Sequence, residues 1–153
     1  MLARFIGGLG LASIAAVSVI AVSAGQSAAQ GDGTKPQISL TLSIYPDPHQ
    51  SHSARGNPIA SVNLRCEPQT GNTHPQPDDA CPKVRRALEA GGLSKLRHLD
   101  EKCTKEFKPV TVTARGHWFD SSGQRRTTDY VKGSNNRCLA EKGTDNVFRF
   151  GSR

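Results

Sequence analysis

Polar and apolar residues alternate strictly along QISLTLSI, which places Ile38, Leu40, Leu42 and Ile44 on one face of a half-buried strand. IASVNLRC repeats the pattern with Ala60, Val62 and Leu64, and is expected to pair with the first strand across the proline-rich loop YPDPHQSHSARGNP. PVTVTARGHWF alternates through Val110, Val112 and Ala114, DSSGQ turns the chain, and RRTTDYV returns as the other half of a hairpin. Phe148 and Phe150 share a face of VFRF, predicting a fifth strand at the end of the chain. The period changes in PKVRRALEAGG, where Val84, Ala87 and Leu88 form a helical face. Pro82 falls near its first position, Asp78 and Asp79 lie at its positive dipole end, and Gly91 stops it. Leu93, Leu96 and Leu99 follow as a short apolar ridge, and GSNNRC reads as a short helical or looped passage. Five strands and one or two helices make an α+β domain with an antiparallel sheet.

The start of the chain follows a different rule. Arg4 supplies a positive charge ahead of the apolar run FIGGLGLASIAAVSVIAVSA, and small residues follow, with cleavage sites after Ala24 (V-S-A) or Ala29 (S-A-A). The run approaches the roughly 20 residues of a membrane span, but its glycines, serines and small-residue tail favour a signal peptide over 1–29 and export of the product. Residues 30–37 are small and polar, a flexible leader to a domain over 38–153.

Export changes the meaning of the cysteines. All four, Cys66, Cys81, Cys103 and Cys138, lie after the signal, and an even count in an exported chain argues for two disulfides. Four cysteines alone allow three pairings. The 14 residues between Cys66 and Cys81 contain three prolines and a glycine, so CEPQTGNTHPQPDDAC reads as a stiff irregular loop. The net charge of +7 is spread along the chain rather than gathered in a block, which argues against nucleic-acid binding.

The five histidines do not assemble a recognisable enzyme. His49 and His52 lie in a proline-rich loop without the helix that would align a metal pair, and His98 and His117 are isolated. No G-x-S-x-G, H-E-x-x-H, P-loop or C-x-x-C occurs, and no cofactor or metal is implied. Trp118 fits core packing. Thr73 and His74 either brace a neighbouring loop or shape a tight turn. A rival reading is a secreted basic module that binds a polyanion or a cell-envelope surface through Arg85, Arg86, Lys95, Arg97, Arg125 and Arg126. The cysteine framework suits a substrate-like protease inhibitor better. Such a protein needs a small cross-linked domain and one exposed loop whose order is established before binding.

CEPQTGNTHPQPDDAC, a short helix ending in GG, then CTKEFKPVTV, G-x-W and a closing VFRF together resemble the Streptomyces subtilisin inhibitor family over Ser39 to Phe150. The connection YPDPHQSHSARGNP and the Cys103–Cys138 span are longer than the family pattern. The resemblance implies a five-stranded antiparallel sheet with two short helices, a homodimer through that sheet, and disulfides Cys66–Cys81 and Cys103–Cys138. It also implies a scissile bond between Lys105 and Glu106, in a reactive loop completed by Cys103, Thr104, Phe107, Lys108 and Pro109. The expected partners are serine proteases, trypsin-like because a lysine ammonium suits a pocket with a buried carboxylate, and subtilisin-like as second targets. On this reading the mature product is not an enzyme and, once the signal is removed, has no membrane partner.

Overall fold

The computed structural model describes residues 37–47 and 54–151, all within a unit spanning Gly33–Arg153. The signal peptide, nearly all of the leader, and the pair His49 and His52 lie outside the described residues. Among those described, no helix is long and apolar enough to cross a membrane.

The alternating segments form strands β1 (Ile38–Pro46), β2 (Ala60–Cys66), β3 (Val110–Phe119) and β4 (Arg125–Ser134). They make an antiparallel sheet in the order β2-β1-β3-β4. Leu42 sits at its centre, opposite Val62 on one side and Ala114 on the other. Alternation therefore sends Ile38, Leu40, Leu42, Ile44, Leu64, Val112 and Ala114 to one buried face. Gly116 faces Leu40 at φ 151°, and a Cβ there would lie 2.1 Å from the Ser39 carbonyl oxygen. Only glycine lets β1 and β3 approach so closely at that point.

Helix α1 (Pro77–Glu89) lays Ala80, Val84, Ala87 and Leu88 in the same core. It begins five residues earlier than its periodicity predicts. Pro77 takes the first helical position, Pro82 lies inside, and the last four of the 14 residues between Cys66 and Cys81 are helical rather than irregular. Pro77 lacks only an N–H that would be unpaired anyway, and Pro82 falls early enough that one lost hydrogen bond does not break the helix. Gly91 (φ 111°) and Gly92 (φ 122°) then turn the chain into a single 3₁₀ turn, Leu93–Lys95, where Leu93 and Leu96 reach the core.

The predicted fifth strand is absent among the described residues. After α2 (Arg137–Lys142) the chain passes through turns, with Asp145 at φ 52° and Asn146 at φ 61°. Val147 N–H donates to the Thr144 carbonyl and Arg149 N–H to Asn146, so these amides are spent locally rather than on a neighbouring strand. Val147, Phe148 and Phe150 are all buried. The apolar residues of VFRF are core plugs, not one face of a ladder.

The opposite face of the sheet is polar and partly open. Ser43 and Ser61 hydroxyls lie 2.9 Å apart, Arg115 pairs with Asp129 at 3.0 Å, and Thr111 donates to buried Asp47 at 2.8 Å. Val131, 42% exposed, is the exposed large aliphatic residue there among the described residues.

Candidate functional site

The segment 96–109 leads from the 3₁₀ turn to β3 without regular structure. It is held instead by α2 and the two residues that precede that helix. Leu99 N–H donates to the Lys142 carbonyl at 2.9 Å, and Glu101 pairs with the Lys142 ammonium, which holds its carboxyl below the usual range. Cys103 is bonded to Cys138 in the first turn of α2, with Cα atoms 5.7 Å apart. The other disulfide joins Cys66 to Cys81. On the far side, Lys108 N–H donates to the Asn135 carbonyl at 3.0 Å.

Asn136 closes the arrangement. Its side-chain Nδ2 donates to the Thr104 carbonyl at 3.1 Å and to the Glu106 carbonyl at 3.0 Å. Its Oδ1 accepts the Leu139 N–H at 2.9 Å and so caps α2. One buried amide thus satisfies a helix end and grips the loop on both sides of Lys105. Three such bonds, at about 1 kcal/mol each, add to the roughly 4 kcal/mol that chain entropy assigns to a cross-link of this span.

Lys105 itself is exposed and makes no hydrogen bond or ion pair among the described residues. Thr104, Glu106 and Lys108 line the concavity between the loop and α2, with a 2.6 Å Glu106–Lys108 ion pair at its edge. Lys105 and Phe107 lie outside that lining. Phe107 is 58% exposed although apolar. Cutting the peptide after Lys105 would leave both new ends in place, the acyl side held through Cys103 and Thr104, the amine side through Glu106 and Lys108.

The residues of the predicted loop form the single segment 103–109, and the structure sets beside it Asn136, which sequence reasoning left in an undifferentiated polar passage. The available signal was an asparagine immediately before a short helical stretch, a capping residue by type. Its two contacts to the loop span 30 and 32 residues and leave no local trace.

Thr73 and His74 both shape their own turn and tie it to β2 and the C-terminal segment. Thr73 Oγ1 accepts Asn63 N–H at 2.7 Å on the edge of β2. His74 is buried, its Nδ1 accepts Gln76 N–H at 3.1 Å, and its Nε2–H donates to the Val147 carbonyl at 2.9 Å. The ring stands edge-on to Phe150, and burial lowers its pKa. Trp118 packs against the core, as expected.

The residues of a basic module fare differently. Arg85 is paired with Glu67 and Arg126 with Asp120, each at 2.9 Å. Hydrogen bonds from Ser122, Arg126 and Gln124 hold the Asp120 carboxyl far below its ordinary range. Among the described residues no group of three or more histidines, cysteines or carboxylates could hold a metal.

A model described as subtilisin inhibitor-like matches residues 37–131. Subtilisin inhibitor-like protein 2 of Streptomyces rochei is 36% identical over 99 residues, covering 64% of this chain and 81% of that protein. Protease inhibitor SIL-V2 of Streptomyces orinoci is 37% identical over 101 residues, covering 66% and 88%. In fold, the chain is similar to Streptomyces caespitosus sermetstatin in a crystal structure with Bacillus licheniformis subtilisin, at TM-score 0.52 and 20% identity, covering 73% of this chain and 97% of that one. With the family pattern covering more than half of the chain, from the first strand through the 103–109 segment and into β4, the chain belongs to the subtilisin inhibitor-like family.

Proposed function

We propose that the protein is a secreted inhibitor of serine endopeptidases that presents Lys105–Glu106 as a substrate-like bond. The observation that carries this reading is the grip of Asn136 on the carbonyls either side of an unpartnered, exposed Lys105. A loop ordered before binding loses little entropy in a protease cleft, and a cut bond whose ends stay tethered can be resealed. The relative from Streptomyces orinoci is named a protease inhibitor, and sermetstatin was crystallised with a subtilisin. Both names support carrying inhibition to this chain.

Lys105 selects the first target. Its ammonium entering a trypsin-like pocket gains a charge-assisted contact with the carboxylate at the bottom. A broader subtilisin-like cleft takes the aliphatic stem, which makes such enzymes second targets. Glu106 lies across the scissile bond, and Phe107, Lys108 and Pro109 follow on the leaving side. The open polar face of the sheet, with Val131 at its edge strand, is the surface for a second copy in the homodimer that the family resemblance implies.

Titrating trypsin and subtilisin with the mature protein tests the reading. Stoichiometric loss of both activities is expected, and Lys105→Gly should lower trypsin affinity at least a hundredfold with an unchanged circular dichroism spectrum. Full protease activity at a large molar excess of inhibitor would overturn the assignment. Equal inhibition by wild type and Lys105→Gly would move the bond elsewhere.

A further inference from the structure

We infer that Arg137 is a positioning residue for the inhibitory loop, fastening the helix that grips the loop to the C-terminal core segment. The inference rests on the reading of Lys105 as the residue offered to the protease, and extends it to a side chain outside the segment offered.

Arg137 stands between the two residues that hold the loop, Asn136 with its amide and Cys138 with its disulfide. All three belong to the capping position and first turn of α2, a helix of six residues. A helix this short is not stable by itself in water, so the direction of its first turn must come from outside. At its other end, Thr144 Oγ1 donates to the Ala140 carbonyl at 2.7 Å, and Lys132 donates to the Gly143 carbonyl at 2.8 Å. Those contacts do not reach the first turn.

Arg137 does. Its Nη2 donates to the Phe150 carbonyl and, at 3.3 Å, to that of Gly151, while Nε donates to Glu141 at 3.0 Å. The ion pair is shielded, with side chains 19% and 5% exposed. Phe150 is 3% exposed and packs beside Phe148 in the core, so the carbonyl that receives the guanidinium is itself fixed. A line of restraint follows from core aromatic to carbonyl, to guanidinium, to Asn136 and Cys138, and from them to the peptide groups around Lys105. The planar guanidinium reaches a carboxylate through Nε and two carbonyls through Nη2, a spread that the single nitrogen of a lysine does not reproduce.

The test uses two variants. Arg137→Lys keeps a cation beside Glu141 and loses the bridge to the two carbonyls. Arg137→Met/Glu141→Leu removes both charges together, so that no carboxylate is left buried without a partner, and serves if the first variant folds poorly. In the free protein, hydrogen exchange at the Lys108 and Leu139 amides should quicken at least tenfold while the Leu42 amide in the central strand is unchanged. In complex with trypsin, cutting of Lys105–Glu106 should quicken at least tenfold, with association within threefold of wild type. Uniformly faster exchange at all three amides would reduce Arg137 to a general stabiliser and overturn the inference, as would wild-type exchange and cutting in both variants. If the wild-type protein inhibits neither protease, the functional reading falls, and the exchange experiment still decides whether Arg137 orders the loop.

Discussion

Replacing Asn136 by aspartate separates its two tasks. An aspartate Oδ1 still caps α2 by accepting Leu139 N–H, because aspartate is as good a capping residue as asparagine. What disappears is the Nδ2 group that donates to the Thr104 and Glu106 carbonyls at 3.1 and 3.0 Å. Two hydrogen bonds at about 1 kcal/mol each amount to about 2 kcal/mol of loop order, and a carboxylate oxygen facing two carbonyls adds repulsion. If that order is recovered on binding, trypsin affinity should fall about 30-fold or more. The thermal midpoint should move only a few degrees, because the cap, the disulfide and the core remain. The assay is an inhibition constant from slow-binding titration, paired with gel analysis of cutting at Lys105–Glu106. Asn136→Ala is the control for the cap, adding about 1 kcal/mol of lost fold stability. Inhibition by Asn136→Asp within threefold of wild type, with equal resistance to cutting, would refute the idea that this amide orders the loop.

Two further outcomes concern the scaffold. His74 is buried as a neutral ring with a lowered pKa, so the unfolded chain takes up its proton first, near pH 6.5; stability is full above that value and falls as pH drops toward the folded pKa. Urea midpoints from pH 7 to 4 should decline more steeply for wild type than for His74→Gln, and parallel curves would count against the assignment. Gly116→Ala places a methyl 2.1 Å from the Ser39 carbonyl oxygen and should cost at least the upper end of the roughly 1–3 kcal/mol range for overpacking. Gly123→Ala, which meets nothing within 4 Å, should cost about 1 kcal/mol for its positive φ alone; equal denaturant midpoints for the two would contradict the close approach of β1 and β3.

Strands were readable wherever alternation met a partner of matching pattern. Ile38 to Ile44 and Val110 to Ala114 declare their core face because apolar side chains lie on it while Ser43, Thr111 and Thr113 take the other. The same rule misreads VFRF, since alternation describes side chains and cannot report whether a neighbouring strand is there to receive the amides. Pro82 misleads for a related reason. A proline marks the beginning of a helix or lies tolerably within its early turns, and the choice depends on Pro77, which composition places in a loop. In the segment 103–109 the half-cystine Cys103 and the exposed cation of Lys105 were readable, and the role proposed for them came from the family resemblance. Asn136 was not readable, because its partners are backbone carbonyls about 30 residues away, and backbone atoms carry no sequence pattern.

The restraints around Lys105 have one property that bears on how such a protein changes over time. Asn136 and Asn135 hold main-chain atoms of Thr104, Glu106 and Lys108, and the only loop side chain fixed by a covalent link is that of Cys103. The shape of the loop is therefore indifferent to which side chain projects at 105 or 107. On the proposed function, those two positions are exchangeable heads on a permanent handle, and a new protease specificity would ask for a change of residue there without a change of fold.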